Sequence, residues 1–288
     1  SLTSKGAFRT VTLWLIWGWL LIFALLPNIL VIAVSFLTRD TSDFISLPVT
    51  IDSYLRLLDP LYFEVFARSL WMAGITTVLC LLLGYPFAWL VSRVQLRWQP
   101  LLMLLLILPF WTNSLVRVYA LKLLLATNGL INKALLAIGI IETPINMLYT
   151  QGAVIVGLTY LLFPFMVLPL YAVFTDLRDD MLLASQDLGA SRRQTFWHIV
   201  LPLTTPGIIS GVLLVLLPAM GMFYVADILG GSRNLLVGNI IKNQFLDARD
   251  WPFGAAASVL LTLAMAVLLL AYRASSKRIG KTDFNEVA

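Results

Sequence analysis

Few residues of this 288-residue sequence could do covalent chemistry. The chain has one histidine, His198, and one cysteine, Cys80, so it can form neither a multi-histidine metal cluster nor an internal disulfide. No acids paired with a histidine and no serine–histidine–aspartate set can be placed at a membrane face. Residues 280–282 read Gly-Lys-Thr and resemble the end of a phosphate-binding loop, but Ser275 occupies the position of the required glycine. The sequence therefore predicts no catalytic residue and no ATP site of that type.

The composition predicts a protein that lies mostly within a membrane. Of all residues, 60% are hydrophobic and only 12% are charged, whereas soluble domains carry about 25% charged residues. The net charge of +5 is modest, and in a membrane protein it indicates topology and lipid contact rather than nucleic-acid binding. Lys5 and Arg9 flank the first apolar run without a small-residue cleavage pattern. We therefore expect a retained span rather than a cleaved signal peptide.

Six segments are long and apolar enough to cross a bilayer as helices. They comprise residues 13–37, 69–91, 100–124, 152–174, 206–226 and 253–272. The sequence therefore predicts an all-α polytopic membrane protein in which residues 1–288 form a single transmembrane domain. An even number of spans places both termini on one side, and the short turn with Arg93 and Arg97 lies on that side too. Because cytoplasmic loops are enriched in positive charge, we expect both termini to be cytoplasmic.

A polar interruption between two spans, residues 175–205, has the pattern of a helix–turn–helix. Gly189 suits the left-handed position that ends a first helix. Ser191 and Gln194 form a capping-box pattern that begins a second helix, and Pro202 is expected to close it. The segment lies on the side of the termini, where such a shape could dock into a cytoplasmic partner. A loop that rests on lipid headgroups is the alternative.

Three further patterns concern the packing of the spans. Pro109 is expected to break the third span, and irregular backbone within a membrane is tolerated only along a cavity. Residues 128–141 carry apolar side chains at helical spacing and predict a short surface helix. Gly207 and Gly211 are spaced for close approach of another helix, either within the bundle or from a second subunit.

The segment 175–205 resembles the coupling motif of binding-protein-dependent ABC importer permeases. That motif reads Glu-Ala-Ala, three residues, Gly, nine residues and Ile-x-Leu-Pro. Five residues match it at the right spacing: Ala184, Gly189, Ile199, Leu201 and Pro202. Leu183 stands in place of the glutamate and Ser185 in place of the second alanine. The resemblance implies a type I ABC importer permease fold with a cytoplasmic coupling helix-turn-helix. The ATPase-coupling residues that it implies are Leu183, Ala184, Ser185, Gly189, Ala190, Phe196, Ile199, Leu201 and Pro202.

Four more segments are similar to the spermidine/putrescine (PotB-type) family of these permeases. They read Leu-Leu-Asp-Pro-Leu-Tyr-Phe at 57–63, Pro-Phe-Trp-Thr-Asn-Ser at 109–114, Leu-Pro-Ala-Met-Gly-Met-Phe-Tyr-Val at 217–225 and Arg-Asp-Trp-Pro-Phe-Gly-Ala-Ala at 249–256. The resemblance implies a multi-pass subunit of a bacterial inner membrane that forms half of a translocation pathway. The implied partners are a second homologous permease subunit, two copies of a cytoplasmic ABC ATPase and a periplasmic polyamine-binding protein. ATP and Mg would bind to the ATPase, and this chain would bind no cofactor.

A pathway for a polyamine needs carboxylates and aromatic faces. Desolvation costs several kcal/mol per charge, and each cation–π contact offsets about 0.5–2 kcal/mol. The candidate pathway residues are Asp227, Tyr224, Phe223, Trp111, Asn113 and Tyr119. Placement of Asp227 at the membrane interface and of the rings in bundle packing are the alternatives. Arg117 and Lys122 would repel a polycation, so we expect them to face away from the pathway or to pair with acids.

Three other functions remain open from the sequence. An ABC permease for another small substrate would share the coupling motif. An ion-driven secondary transporter fits less well, because six spans are few and acids near the middle of the spans are lacking. A membrane-embedded enzyme fits least, because the sequence offers no catalytic set.

Overall fold

The computed structural model describes residues 2–40, 44–177 and 179–285. Most of this part is helical, and a single β-bridge pairs Thr38 with Ser46 within it. The chain groups into two compact units. The terminal unit comprises Ser1–Phe63 and Ile240–Ala288, and the central unit comprises Glu64–Asn239. The helical architecture confirms the predicted fold class, and the single domain over residues 1–288 stays a prediction.

The α-helices of the described residues are, in chain order, α1 (Leu2–Leu20), α2 (Leu26–Ser35), α3 (Asp52–Leu57), α4 (Pro60–Arg93), α5 (Gln99–Ile107), α6 (Ser114–Leu125), α7 (Leu130–Ile138), α8 (Gln151–Asp176), α9 (Asp179–Asp187), α10 (Arg192–Thr195), α11 (Leu201–Gly221), α12 (Phe223–Val225), α13 (Val237–Leu246) and α14 (Trp251–Asn285). Wider π-helical turns are found at Leu21–Leu25, Phe196–Val200 and Ala226–Gly230, and 3-10 turns at Leu108–Trp111 and Gly231–Arg233.

Six helical stretches of the described chain are long and apolar enough to cross a membrane, as predicted. They are Phe8–Ser35, Pro60–Arg93, Ser114–Ile138, Gln151–Asp176, Arg192–Gly221 and Trp251–Leu270. Five of them overlap the predicted spans one to one. The third differs, because the predicted span at 100–124 is not one helix: α5 ends at Ile107 and α6 begins at Ser114.

The break between α5 and α6 follows from its residues. Pro109 has no amide hydrogen to continue the helical ladder. Thr112 is extended, with φ −89° and ψ 148°, and the Oδ1 of Asn113 accepts a hydrogen bond from the backbone N of Leu115 at 2.9 Å. Asn113 therefore caps a new helix, as residues of its type prefer to do. The break predicted at Pro109 and the short helix predicted within 128–141, here α7, are both confirmed.

The core of the central unit lies between α8 and α11, which pack together. A fully buried stripe with four-residue spacing runs along α8: Val154, Leu158, Leu162, Met166 and Leu170. A Cβ atom at Gly207 of α11 would lie 2.9 Å from the carbonyl O of Pro169, and one at Gly211 would lie 3.2 Å from that of Met166. The close approach therefore leaves no room for a Cβ atom at Gly207 and only a tight fit for one at Gly211. Of the two predicted uses of this spacing, the described structure contains the one within the bundle.

In the terminal unit, α14 packs against α2 and α3. Asp250 precedes α14, is 1% exposed, and accepts a hydrogen bond from Nη1 of Arg56 at 2.8 Å. Its Oδ1 accepts a second hydrogen bond from the backbone N of Phe253 at 3.2 Å, which caps the first turn of α14. The Arg56 guanidinium also lies 4.5 Å from the centroid of the Phe253 ring. These contacts hold the start of the last span against α3.

Candidate functional site

Residues 179–200 form a helical hairpin, and its turn is built on Gly189. This glycine has φ +86°, a conformation that disfavours a side chain with a Cβ atom. Its N–H donates to the carbonyl of Gln186 at 2.9 Å, and the N–H of Ala190 donates to the carbonyl of Ser185 at 3.0 Å. These bonds end α9 in the way that glycine-terminated helices commonly end. The predicted left-handed elbow is confirmed. Arg178, within the predicted segment, lies outside the described residues.

The second half of the hairpin begins as predicted and ends differently. The backbone N of Ser191 donates to Oε1 of Gln194 at 2.8 Å, and the backbone N of Gln194 donates to Oγ of Ser191 at 3.3 Å. The predicted capping box is thus confirmed. The prediction that Pro202 closes this helix is wrong, because Pro202 lies in the first turn of α11, where a missing N–H is tolerated. A π-helical turn at Phe196–Val200 precedes it, so the helix continues into the fifth span.

A buried pair of hydroxyl groups ties the two arms of the hairpin together. The Oγ of Ser185 in α9 lies 2.9 Å from the Oγ1 of Thr195 in α10. Their residues are only 7% and 5% exposed. Ser185 therefore faces into the hairpin rather than toward a partner, which its place in the motif did not predict. The Oγ of Ser185 also donates to the carbonyl of Leu182 at 2.8 Å, so the Thr195 hydroxyl donates to Ser185. Without this partner the buried Thr195 hydroxyl would cost about 1–3 kcal/mol.

The exposed surface of the hairpin carries large apolar side chains among its polar and charged ones. Leu183 is 59% exposed, Leu188 is 90% exposed and Trp197 is 55% exposed. Several large exposed apolar side chains on one short hairpin are typical of interaction surfaces. The remaining coupling residues differ in burial: Ala184, Gly189, Phe196 and Pro202 are exposed, whereas Ala190, Ile199 and Leu201 are half-buried.

The candidate pathway residues near Asp227 lie where the fifth span is broken. α11 ends at Gly221, and Met222, with ψ 64°, turns the chain before α12 and the π-helical turn Ala226–Gly230. Phe223 and Asp227 are both exposed and stand one helical turn apart. The ring of Tyr224 lies edge-on to that of Phe223, with centroids 6.1 Å apart. The structure thus exposes a carboxylate and an aromatic ring about one helical turn apart on the same stretch of chain.

Asn239 holds this arrangement, and the sequence did not predict its role. Its Nδ2 donates to Oδ1 of Asp227 at 2.6 Å and to the carbonyl of Phe223 at 3.0 Å. Its Oδ1 accepts from the backbone N of Leu236 at 2.9 Å. Asn239 is fully buried, so one side chain fixes the carboxylate, the helix that carries it and the start of α13. An asparagine shortly after the predicted fifth span was the sequence signal for this role.

The other candidate pathway residues lie at the break in the third span and on α6. Trp111 is 75% exposed and Tyr119 is 54% exposed. The side-chain oxygen of Asn113 serves as the cap of α6, so its role in the fold is local. α6 packs against the π-helical turn that carries Asp227. The two groups of candidates therefore lie on neighbouring elements of the central unit.

Arg117 and Lys122 behave differently from each other. The Nζ of Lys122 lies 5.8 Å from the centroid of the Tyr149 ring. Arg117 is only 9% exposed, and its guanidinium lies 4.5 Å from the centroid of the Phe110 ring. Its Nε has no hydrogen-bond partner among the described residues. The alternative that Arg117 pairs with an acid is therefore not met within the described chain.

Arg117 lines an apolar cavity of about 730 Å³ between α4, α5, α6 and α8. Its wall also includes aromatic rings: Phe87, Phe110, Tyr160 and Phe163. Two like charges about 4 Å apart repel by about 4 kcal/mol at an effective dielectric constant of about 20. A cation–π contact returns only about 0.5–2 kcal/mol. The aromatic wall therefore does not make this cavity a favourable site for an ammonium group.

Several proteins are similar to this chain over nearly its whole length. The spermidine/putrescine transport system permease protein PotB of Escherichia coli strain K12 is 56% identical over 264 residues, which cover 92% of this chain and 96% of that protein. The protein of the same name from Salmonella typhimurium strain SL1344 is 54% identical, covering 97% and 96% of the two chains. That from Haemophilus influenzae is 53% identical, covering 96% and 97%.

A solved structure shares the fold at low sequence identity. A chain in the crystal structure of a bacterial alginate ABC transporter, in complex with its alginate pentasaccharide-bound periplasmic protein, superimposes with a TM-score of 0.78 at 16% identity over 96% of each chain. The sequence family described as binding-protein-dependent transport system inner membrane component matches residues 7–281. This chain therefore belongs to the family of inner membrane components of binding-protein-dependent transport systems.

Proposed function

We propose that this chain is the transmembrane permease subunit of an ATP-driven importer of the polyamines spermidine and putrescine. The observation that carries the proposal is the identity of 53–56%, over nearly the full length, to permeases of that name. The apolar side chains exposed on the hairpin support the same function, because they offer a docking surface on a helix that continues into a membrane span. The subunit itself is non-catalytic, and it forms half of the translocation pathway.

The proposed assembly has a second homologous permease subunit, two copies of a cytoplasmic ABC ATPase and a periplasmic polyamine-binding protein. ATP and Mg bind to the ATPase, and this chain needs no cofactor. The chain is a multi-pass protein of the bacterial inner membrane with both termini in the cytoplasm. The hairpin of residues 179–200 then meets the ATPase on the cytoplasmic side. Because Leu183 replaces the motif glutamate, apolar contact supplies the docking there.

The hairpin is joined to the fifth span by an unbroken helix, so a displacement of the hairpin also displaces that span. α10 passes through the turn Phe196–Val200 directly into α11. Gly207 and Gly211 let α11 pack closely on α8, and closely packed interiors transmit displacement rather than absorb it. ATP-dependent motion of the hairpin therefore shifts α11 and α8 together. This coupling provides alternating access to the pathway.

For the cargo, we propose an ammonium site made by Asp227 and the ring of Phe223, with Tyr224, Trp111, Asn113 and Tyr119 as further pathway residues. The carboxylate supplies the opposite charge, and the ring supplies a cation–π face. Asn239 holds the two residues through hydrogen bonds to the Asp227 carboxylate and to the backbone carbonyl of Phe223. The carbonyl end of the broken helix α11 adds partial negative charge nearby.

Co-purification tests the assembly. An affinity-tagged chain, purified from its own membrane in mild detergent, should carry an ABC ATPase whose hydrolysis rate rises when polyamine-loaded binding protein is added. The Gly189→Asn variant is the matched control for changes at the elbow. Asparagine tolerates the left-handed conformation, so this variant should keep the hairpin intact and carry the same ATPase. Recovery of the chain without any ATPase would contradict the proposed function.

A further inference from the structure

The cavity beside Arg117 lies near the middle of the membrane. Tyr160 and Phe163 of its wall are the tenth and thirteenth residues of the 26-residue helix α8, which runs from Gln151 to Asp176. A helix of that length spans the apolar core of a bilayer. The cavity is therefore remote from both membrane surfaces.

Among the residues that the structure describes, the guanidinium in this cavity has no counter-charge. Arg117 is 9% exposed, its Nε has no hydrogen-bond partner in the described part of the chain, and its recorded contact is the Phe110 ring. The Oγ1 of Thr159, also on the cavity wall, is likewise buried without a partner there. Charged side chains at this depth face the interior of a bundle or a water-filled space, and they pair with another group. Within the described part of the chain, the cavity therefore lacks an anionic group that could accept hydrogen bonds from Arg117.

Three occupants can be compared by their chemistry. The phosphate of a bilayer lipid lies at the membrane surface, not at the level of Tyr160. An ammonium group of the cargo is repelled by Arg117 more strongly than the rings attract it, as worked out above. A carboxylate on an otherwise apolar helix fits both features, because its charge matches Arg117 and its neighbours match the apolar wall.

We propose that the cavity receives an acidic side chain from a membrane-spanning helix of the second permease subunit. The carboxylate of that side chain pairs with the guanidinium of Arg117, whose planar donors suit a two-pronged contact. Thr159 lies on the same wall and can donate a further hydrogen bond. Arg117 then anchors the contact between the two permeases and carries no net charge toward the cargo. This inference rests on the proposed importer assembly.

Removal of the charge tests the anchor in the full complex. Arg117→Gln should reduce the amount of second permease subunit that co-purifies with this chain by at least about tenfold, because one partner of a buried ion pair is left alone. Arg117→Lys keeps the charge and should retain more of that subunit than Arg117→Gln. Lys122→Gln removes a charge from the same helix outside the cavity and should leave recovery unchanged. Equal recovery from Arg117→Gln and Lys122→Gln would overturn the proposal.

A second experiment leaves Arg117 intact, so it does not depend on a variant that might fail to insert. A photoreactive benzoylphenylalanine in place of Tyr160 should cross-link to the second permease subunit in membranes. Cross-linking to phospholipid alone, or to a second copy of this chain, would overturn the proposal. Neither of these outcomes would change ATP-driven uptake by the wild-type complex. The uptake assay therefore tests the proposed importer function independently of this contact.

Discussion

Asn239 offers a way to separate stability from cargo handling. Asn239→Ala removes a hydrogen bond to a carboxylate at 2.6 Å, one to a carbonyl at 3.0 Å and one from a backbone N–H at 2.9 Å. A net contribution of about 1 kcal/mol for each of the two neutral bonds and about 1.5–3 kcal/mol for the charged one gives a total of about 3.5–5 kcal/mol. The complex should therefore lose thermal stability, and Asp227 should lose its fixed position.

Asn132 provides the matched control. It is also fully buried, and its side chain donates to the carbonyls of Thr127 and Ile145 at 3.1 Å and 2.8 Å and accepts from the N–H of Ile145 at 3.0 Å. Asn132→Ala should destabilise the complex by a similar amount. Its contacts hold the loop around α7, so they leave Asp227 in place.

The assay is ATP-driven spermidine uptake in proteoliposomes at saturating loaded binding protein, normalised to assembled complex. Asn239→Ala should lower this rate about tenfold, which corresponds to about 1.4 kcal/mol in the transport barrier. Asn132→Ala should leave it near the wild-type value. Equal uptake rates for the two variants would refute the idea that Asn239 positions the cargo carboxylate.

Other substitutions test the remaining parts of the account. Gly189→Val should leave the protein inserted but uncouple ATP hydrolysis from uptake, because valine disfavours φ +86°; normal uptake would remove the elbow from the coupling route. Asp227→Asn should weaken polyamine uptake by about tenfold through loss of the charge, and an unchanged uptake rate would take Asp227 out of the pathway. Ser185→Ala should lower the melting temperature of the complex by leaving the Thr195 hydroxyl unpaired, at a cost of about 1–3 kcal/mol. Ser185→Ala combined with Thr195→Val should recover part of that loss, and a further fall would contradict the buried hydroxyl pair.

Local signals in the sequence predicted the hairpin well. The left-handed elbow at Gly189 and the capping box of Ser191 and Gln194 depend on residues within a few positions of each other. Five of the six span positions were predictable because length and apolarity identify a span; the third was misplaced, because the chain breaks between α5 and α6. Pro202 was misread because the π-helical turn at Phe196–Val200 lets the chain pass through a proline without ending the helix.

Features that depend on distant residues could not be predicted from the sequence. Asn239 contacts Phe223 and Asp227 only because α13 returns to the broken end of α11. The burial of Arg117 depends on α4 and α8, which are remote from it in sequence. Ser185 occupies a motif position for which the resemblance implied partner contact, and only the packing of α9 on α10 reveals its inward hydroxyl.

Transport by the purified complex tests the central claim most directly. Proteoliposomes that contain this chain, the second permease subunit and the ATPase should accumulate radiolabelled spermidine only when ATP and the loaded binding protein are both present. Collapse of the proton gradient should leave the initial rate unchanged. Accumulation by this chain alone, driven by a proton gradient without ATP, would contradict the account.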